Sequence, residues 1–244
     1  MNNGALEARL EEKACRTQRS GLVSQSCFLT PPEQELARRV AARYDVRVAF
    51  FGGYDGAERQ LACFYDEEAR EPELTWICAT WDERYGACTH RDLLGSVMAL
   101  GMDRERYGDF IVSGNRCDMV MLPEAAVTVL SGLSEAGRVP LHLTELEQAP
   151  EIAEPEGTHV RDTVASARLD AILSAAMNLS RTGAADLIRQ RRVKVNHMET
   201  EKGDRVMKAG DIVSVRGYGR IRVDTIGEPT RKGRLPVEMT CFHQ

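Results

Sequence analysis

Residues 168–196 read RLDAILSAAMNLSRTGAADLIRQRRVKVN, and their spacing decides the fold of the C-terminal third. Leu169, Ile172, Leu173 and Ala176 recur at i, i+3, i+4 and i+7, the period of a helix with one buried face, and Ser166 is its expected N-cap. Asn178-Leu179-Ser180 interrupts the pattern. Ser180 can cap a second helix of about ten residues, whose packing face is Ala184, Leu187 and Ile188. Two helices joined by so short a turn must cross and pack. Val193-Lys194-Val195-Asn196 then alternates as a strand does, Gly210-Asp211 leads into Ile212 to Arg216, and Gly217-Tyr218-Gly219 turns that strand into Arg220 to Val223. The expected module is two helices followed by a small twisted sheet.

Charge separates this module from what precedes it. The chain of 244 residues has a formal net charge of -5, which conceals a division. Residues 1–160 hold 16 Lys/Arg against 27 Asp/Glu, a net of -11, whereas residues 161–234 hold 16 against 9, a net of +7. Such asymmetry points to one part of a chain meeting a polyanion. At 100° per residue, Arg181, Arg189 and Arg192 share one face if the second helix persists to Arg192. Guanidinium groups so arranged suit phosphate, because each is a planar fork of donors that stays charged. With Arg168, Lys194, Arg216 and Arg220 in the same module, the group is an expected RNA-binding surface. Tyr218 fits an ordinary turn aromatic better than a base-stacking one.

Upstream, the pattern is mixed α and β. Residues 1–27 read as a polar tail, docked or mobile, holding a short helix from Ala5 to Cys15. Thr30-Pro31-Pro32-Glu33 opens a helix that runs to about Arg43, Val46 to Phe51 and Gln60 to Tyr65 form a hairpin, and Trp76 to Trp81 is a further strand. Thr89 caps a helix from His90 to Leu100. Strands over 109–113 and 118–122, a helix from Pro123 to Ala136 and a strand over 139–146 follow. Pro150, Pro155 and the glutamates between 147 and 160 mark an acidic linker. The fold class is therefore α+β, with a tail (1–27), two small α/β subdomains (28–75 and 76–146), a linker (147–160) and an RNA-binding domain with a C-terminal extension (161–244).

Several functions are excluded or disfavoured by the residues. No stretch approaches the roughly 18 consecutive apolar residues of a membrane span, and the first twenty residues lack a secretory apolar segment, so a cytoplasmic protein is expected. Seven cysteines without a CxxC pair read as separate reduced thiols. Cys88 and His90 have no second pair at ligand spacing, so neither a metal nor another cofactor is expected. Gly52-Gly53-Tyr54-Asp55-Gly56 lacks the Gly-Lys-Ser/Thr of a phosphate loop and reads as a hairpin turn, with surface contact as the other reading.

The run over 168–196, with AGDIVSVRGYGRIRV after it, resembles the S-four-type RNA-binding domain. The carrying elements are Arg168-Leu169-Asp170, Ser180-Arg181, Arg192 to Asn196 and Gly210-Asp211, and the resemblance covers about 60 residues. It departs at Arg191, where such domains usually have glycine, and at His197. The implied RNA-contacting set is Arg168, Ser180, Arg181, Arg189, Arg191, Arg192, Lys194, Asn196, Arg216 and Arg220. Ahead of it, Phe28-Leu29-Thr30-Pro31, Gly52 to Arg59, and His90 to Gly95 with Gly108-Asp109 resemble the bacterial YlmH family in the same order. That resemblance implies a non-enzymatic factor that binds rRNA of the large ribosomal subunit and tRNA or peptidyl-tRNA. Its expected setting is ribosome-associated quality control, alongside other quality-control factors. Tyr54, Arg59, His90 and Arg91 are candidates for a second RNA or partner contact. The alternative is an RNA-modifying enzyme of the pseudouridine synthase type, or an accessory to one; such enzymes also carry Arg-Leu-Asp around the catalytic aspartate. Here Asp170 opens a helix of the binding module, and too little chain follows it for a catalytic domain.

Overall fold

In the computed structural model, which describes residues 3–152, 157–196 and 198–242, the chain divides into two units, Met1–Ile152 and Ala153–Gln244. The first begins with α1 (Asn3–Ser20), β1 (Ser24–Leu29), α2 (Pro31–Arg43), β2 (Arg47–Phe51) and β3 (Gln60–Tyr65), and its antiparallel sheet runs β1-β3-β2. The range 1–27 expected as a tail is docked: its helix, expected over 5–15, extends to Asn3–Ser20, and it holds a strand that was not expected. Leu6, Leu10, Ala14 and Thr17 lie on one stripe of α1 and are 0–4% exposed, packed with Val40, Ala41 and Phe64. Ten polar or charged neighbours dilute that stripe below the threshold at which composition marks a helix as buried. α2 starts as its sequence demands, with the Glu33 carboxylate accepting from the Thr30 amide (2.7 Å) and hydroxyl (2.8 Å).

The unit continues with β4 (Thr75–Thr80), α3 (His90–Ala99), β5 (Tyr107–Ser113), β6 (Arg116–Met121), α4 (Pro123–Gly132), the short pair β7 (Glu135–Ala136) and β8 (Val139–Pro140), and β9 (His142–Leu146). Its sheet runs β5-β6-β4-β9, all antiparallel. Strand alternation supplies both faces: Ile77, Ala79, Met119 and Met121 pack with Leu93, Val97 and Val129 of α3 and α4. Trp76 and Val120 point the other way and meet Phe28 and Leu61 of the first sheet.

The second unit comprises β10 (Thr158–Val164), α5 (Leu169–Ala176), α6 (Arg181–Arg189), β11 (Val193–Val195), β12 (Met198–Glu199), β13 (Ile212–Val215), β14 (Gly219–Ile226) and β15 (Leu235–Phe242). They form one sheet in the order β10-β15-β14-β13-β11-β12. It is larger than the sheet expected from the sequence. β10 begins at Thr158, inside the range assigned to a linker, and pairs residue for residue with β15 from Thr158–Cys241 to Val164–Leu235; residues 153–156 of that range lie outside the described residues. One core joins Leu169, Ile172 and Leu173 of α5 and Leu187 and Ile188 of α6 to Val193, Val195, Val213, Ile221 and Met239. Among the described residues no helix is long and apolar enough to cross a membrane.

Candidate nucleic-acid interface

The helix side carries the first group of cations. Arg168, not Ser166, is the residue at the N-cap of α5. No hydroxyl caps that helix: the Leu169 and Asp170 amides donate to the carbonyls of Arg205 (2.9 Å) and Gly203 (3.0 Å), so the loop after β12 closes the helix start. Asp170 accepts both forks of Arg168, at 3.2 and 2.9 Å, which orients the guanidinium and holds it charged. Ser180 does cap α6, its hydroxyl accepting from the Gly183 amide at 3.0 Å, so its oxygen is used inside the fold. Arg181 is exposed in the first turn. Arg189, 74% exposed, pairs with Asp186 at 2.9 Å; an exposed i,i+3 pair is worth about 0–1 kcal/mol, so phosphate competes with it readily.

α6 ends at Arg189, and Arg192 therefore leaves the face it was expected to share. Arg191 makes the reversal at φ +56°, in the left-handed region, where the resembling domains place glycine. Its guanidinium reaches Glu201 (2.7 Å) and Glu199 (3.8 Å). Arg192 turns instead to the β13–β14 hairpin, donating to the Arg216 carbonyl at 2.7 Å and lying 5.7 Å from the Tyr218 ring centroid. It braces that hairpin and holds exposed Arg216 and Tyr218 in place. Asn196, also left-handed (φ +49°), spends its side-chain amide on the fold: Nδ2 donates to Asp211 (2.8 Å) and Oδ1 accepts from the Ile212 amide (2.9 Å). Its role is to lock the Gly210-Asp211 turn.

Lys194 and Arg220 do not share the helix face either. Val193, Val195, Val213 and Ile221 point into the core beneath α5 and α6, so the alternating residues point away from the helices. Register places Lys194 opposite Ser214, Ser214 opposite Arg220 and Arg220 opposite Phe242 in one row across the outer face. Arg222 belongs to that face as well. It was missed in the sequence, although the alternation of Arg220-Ile221-Arg222 carries the signal; it bonds Asp224 at 2.8 Å and lies 5.8 Å from the Phe242 ring. The module thus bears cations on two opposite surfaces, helix side and outer sheet side.

The candidates in the first unit fare differently. Arg59 is 8% exposed, and its guanidinium donates to the carbonyls of Phe28 (3.0 Å), Arg104 (3.0 Å) and Tyr107 (3.4 Å). Burial lowers its pKa from the ordinary arginine value. Arg59 is consequently not a surface contact. Tyr54 gives its hydroxyl to Asp109 at 2.9 Å and sets its ring edge-on to Trp76. Asp109 also accepts from the Glu58 amide (2.6 Å) and the Arg59 amide (3.2 Å). A Cβ on Gly53 (φ +85°) would meet Val120 at 2.9 Å, and one on Gly108 would meet Phe28 at 2.7 Å. Phe28, the Gly52–Arg59 loop and Gly108-Asp109, scattered in sequence, are one internal brace between the two sheets. Arg104 joins it, its pKa pushed down by burial to about 10. His90 and Arg91 remain exposed at the start of α3, whose cap is Thr89 with Asp92; the His90 ring lies edge-on to Phe110. Cys88 beside them is a core thiol directed at the Ala136 carbonyl. Among the described residues no group of His, Cys, Asp and Glu is arranged to hold a metal.

Comparison with known proteins agrees with both halves of this description. A family model for the RNA-binding domain in YlmH matches residues 69–149, and the S4 domain model matches residues 167–213. The ribosome-associated protein quality control protein P2 of Bacillus subtilis (strain 168) is 31% identical over 215 residues, spanning 86% of this chain and 84% of its own. The solved structure of the cell division protein YlmH from Streptococcus pneumoniae shares the fold at a TM-score of 0.50 and 20% identity, over 60% of this chain and 92% of that one. With a relative of that identity matched over 86% of its length, this chain belongs to the YlmH family.

Proposed function

We propose that the protein is a non-enzymatic RNA-binding factor of ribosome-associated quality control, holding rRNA of the large ribosomal subunit and tRNA or peptidyl-tRNA together. The observation that carries this reading is the pair of opposed cationic surfaces on the second unit, with Arg168, Arg181 and Arg189 on one and Lys194, Arg220 and Arg222 on the other. Two surfaces that face apart engage two different RNA segments. The name of the Bacillus subtilis relative supports the setting. Other quality-control factors are then partners for the acidic first unit, and the site of action is the cytoplasm. Phosphate contacts position a protein without reading much sequence, so RNA shape governs recognition. Asp170 is engaged by Arg168, which fits a positioning role and not that of a catalytic aspartate.

The test uses two variants of the full chain, R181A/R189A and K194A/R220A/R222A, in co-sedimentation with large subunits and in tRNA binding. Each variant is expected to lose one partner and keep the other. Retention of both partners by both variants would remove these residues from the interface. A pseudouridine or methyl group missing from the RNA of cells lacking the protein would instead establish a modifying enzyme.

A further inference from the structure

The matched RNA-binding domain over 69–149 is electrostatically unsuited to tracking a phosphate backbone. It holds 7 arginines and no lysine against 13 Asp/Glu. Of those arginines, Arg104 is buried in the brace, and the exposed Arg84 and Arg116 stand beside the carboxylates of Asp82 and Asp118, so the excess of negative charge sets the field. With carboxylates in that excess, contact through bases suits this surface better than contact through phosphates.

The surface has a place for one. Where β4 ends, the β5–β6 turn closes and β9 begins, an open hollow of about 760 Å3 is lined by Trp81, Glu83, Tyr85, Asn115, Leu141 and His142, among others. Its floor is fixed by reciprocal bonds: the Trp81 amide donates to the Asn115 carbonyl (3.2 Å), and Asn115 Nδ2 donates to the Trp81 carbonyl (3.1 Å). Tyr85 is 62% exposed although its turn is ordered, with the Asp82 carboxylate accepting from the Arg84 amide (2.9 Å) and Arg84 Nε (2.8 Å). The other exposed large apolar side chains of this unit are aliphatic or methionine, so Tyr85 is its exposed aromatic among the described residues.

We infer that this hollow receives one unpaired nucleobase, guanine by preference. The base stacks on Tyr85 beside Leu141 and His142, and its Watson–Crick edge, with two adjacent N–H donors, meets the Glu83 carboxylate. Every base offers a π-face, so stacking supplies affinity, and the carboxylate supplies the preference for a doubly donating edge. The inference rests on the RNA-binding reading of the chain, but not on the cationic surfaces of the second unit.

The full chain is titrated with the RNAs UUGUU and UUUUU and with a UUxUU whose central nucleotide is abasic. The guanine-centred RNA should bind on the order of tenfold more tightly than the abasic one, with uracil between them. Y85A should narrow the differences among all three, E83Q should bring the guanine-centred RNA down to the uracil-centred one, and R181A/R189A, in the other unit, should preserve the ratios. Equal binding of the three RNAs by the unaltered chain, or ratios unchanged in Y85A, would overturn the inference and leave the proposed function standing. Failure of the chain to bind any of them while it still co-sediments with large subunits would overturn the inference alone; loss of both would overturn both.

Discussion

Among the described residues, four that are not glycine are left-handed: Asp45, Asn178, Arg191 and Asn196. Asp and Asn tolerate that region because a short polar side chain can bond the local backbone, and Asn196 is held there by its bonds to Asp211 and Ile212. Arg191 has no such excuse, and its two carboxylate partners are exposed and worth about 0–1 kcal/mol. R191G and R191A both delete those pairs, so their difference isolates the backbone. R191G should be the more stable by about 0.5–1 kcal/mol in urea unfolding; equal stability would mean that the turn relaxes to negative φ when the side chain is cut back. The glycine that the resemblance leads one to expect at 191 was thus a correct reading of backbone geometry, although this sequence fills the position otherwise. Arg59 was illegible for a related reason. Residue type argues for the surface, and only the three convergent carbonyls, supplied from 28, 104 and 107, make its burial tolerable.

α5 and α6 were legible because their apolar period is uninterrupted and each ends in a break. α1 was not, since Leu6, Leu10 and Ala14 are a narrow stripe on a helix whose other residues are mostly polar or charged. What makes it structural is its company: Leu10 is 1% exposed against α2 and β3, and Arg9 forks onto Glu105 at 2.8 and 2.9 Å. L10A should therefore cost about 3 kcal/mol of first-unit stability, as full burial of a leucine implies. A loss below about 1 kcal/mol in urea unfolding would return residues 1–20 to the status of a tail. β15 shows the opposite lesson. Val237, Met239 and Cys241 alternate and are all buried, but Pro236 and the cationic loop before them masked a strand that becomes the partner of both β10 and β14.

At the scale of the whole chain, the net of +7 over 161–234 was read as a single face and is two. The affinity consequence is a salt dependence set by all the phosphates contacted. With about six contacts, log K should fall against log[salt] with a slope of about -4 to -5. Taking away three cations, as in K194A/R220A/R222A, should bring the slope for a large subunit already carrying tRNA down by about half. Titration across salt measures this, and an unaltered slope would mean that the outer sheet face makes no phosphate contact. The acidic first unit works in the other sense, repelling polyanions that offer no exposed base or protein surface.

The sheet that separates the two cationic surfaces is six strands wide and rigidly hydrogen-bonded, with one continuous core beneath it. Rigidity converts the second RNA contact into an intramolecular event: once one surface is docked, the other samples a fixed small volume, and its target is present at millimolar effective concentration. Each surface alone can then be weak enough to let go of stray RNA, while a particle that presents both targets at the right separation is held by the product of the two.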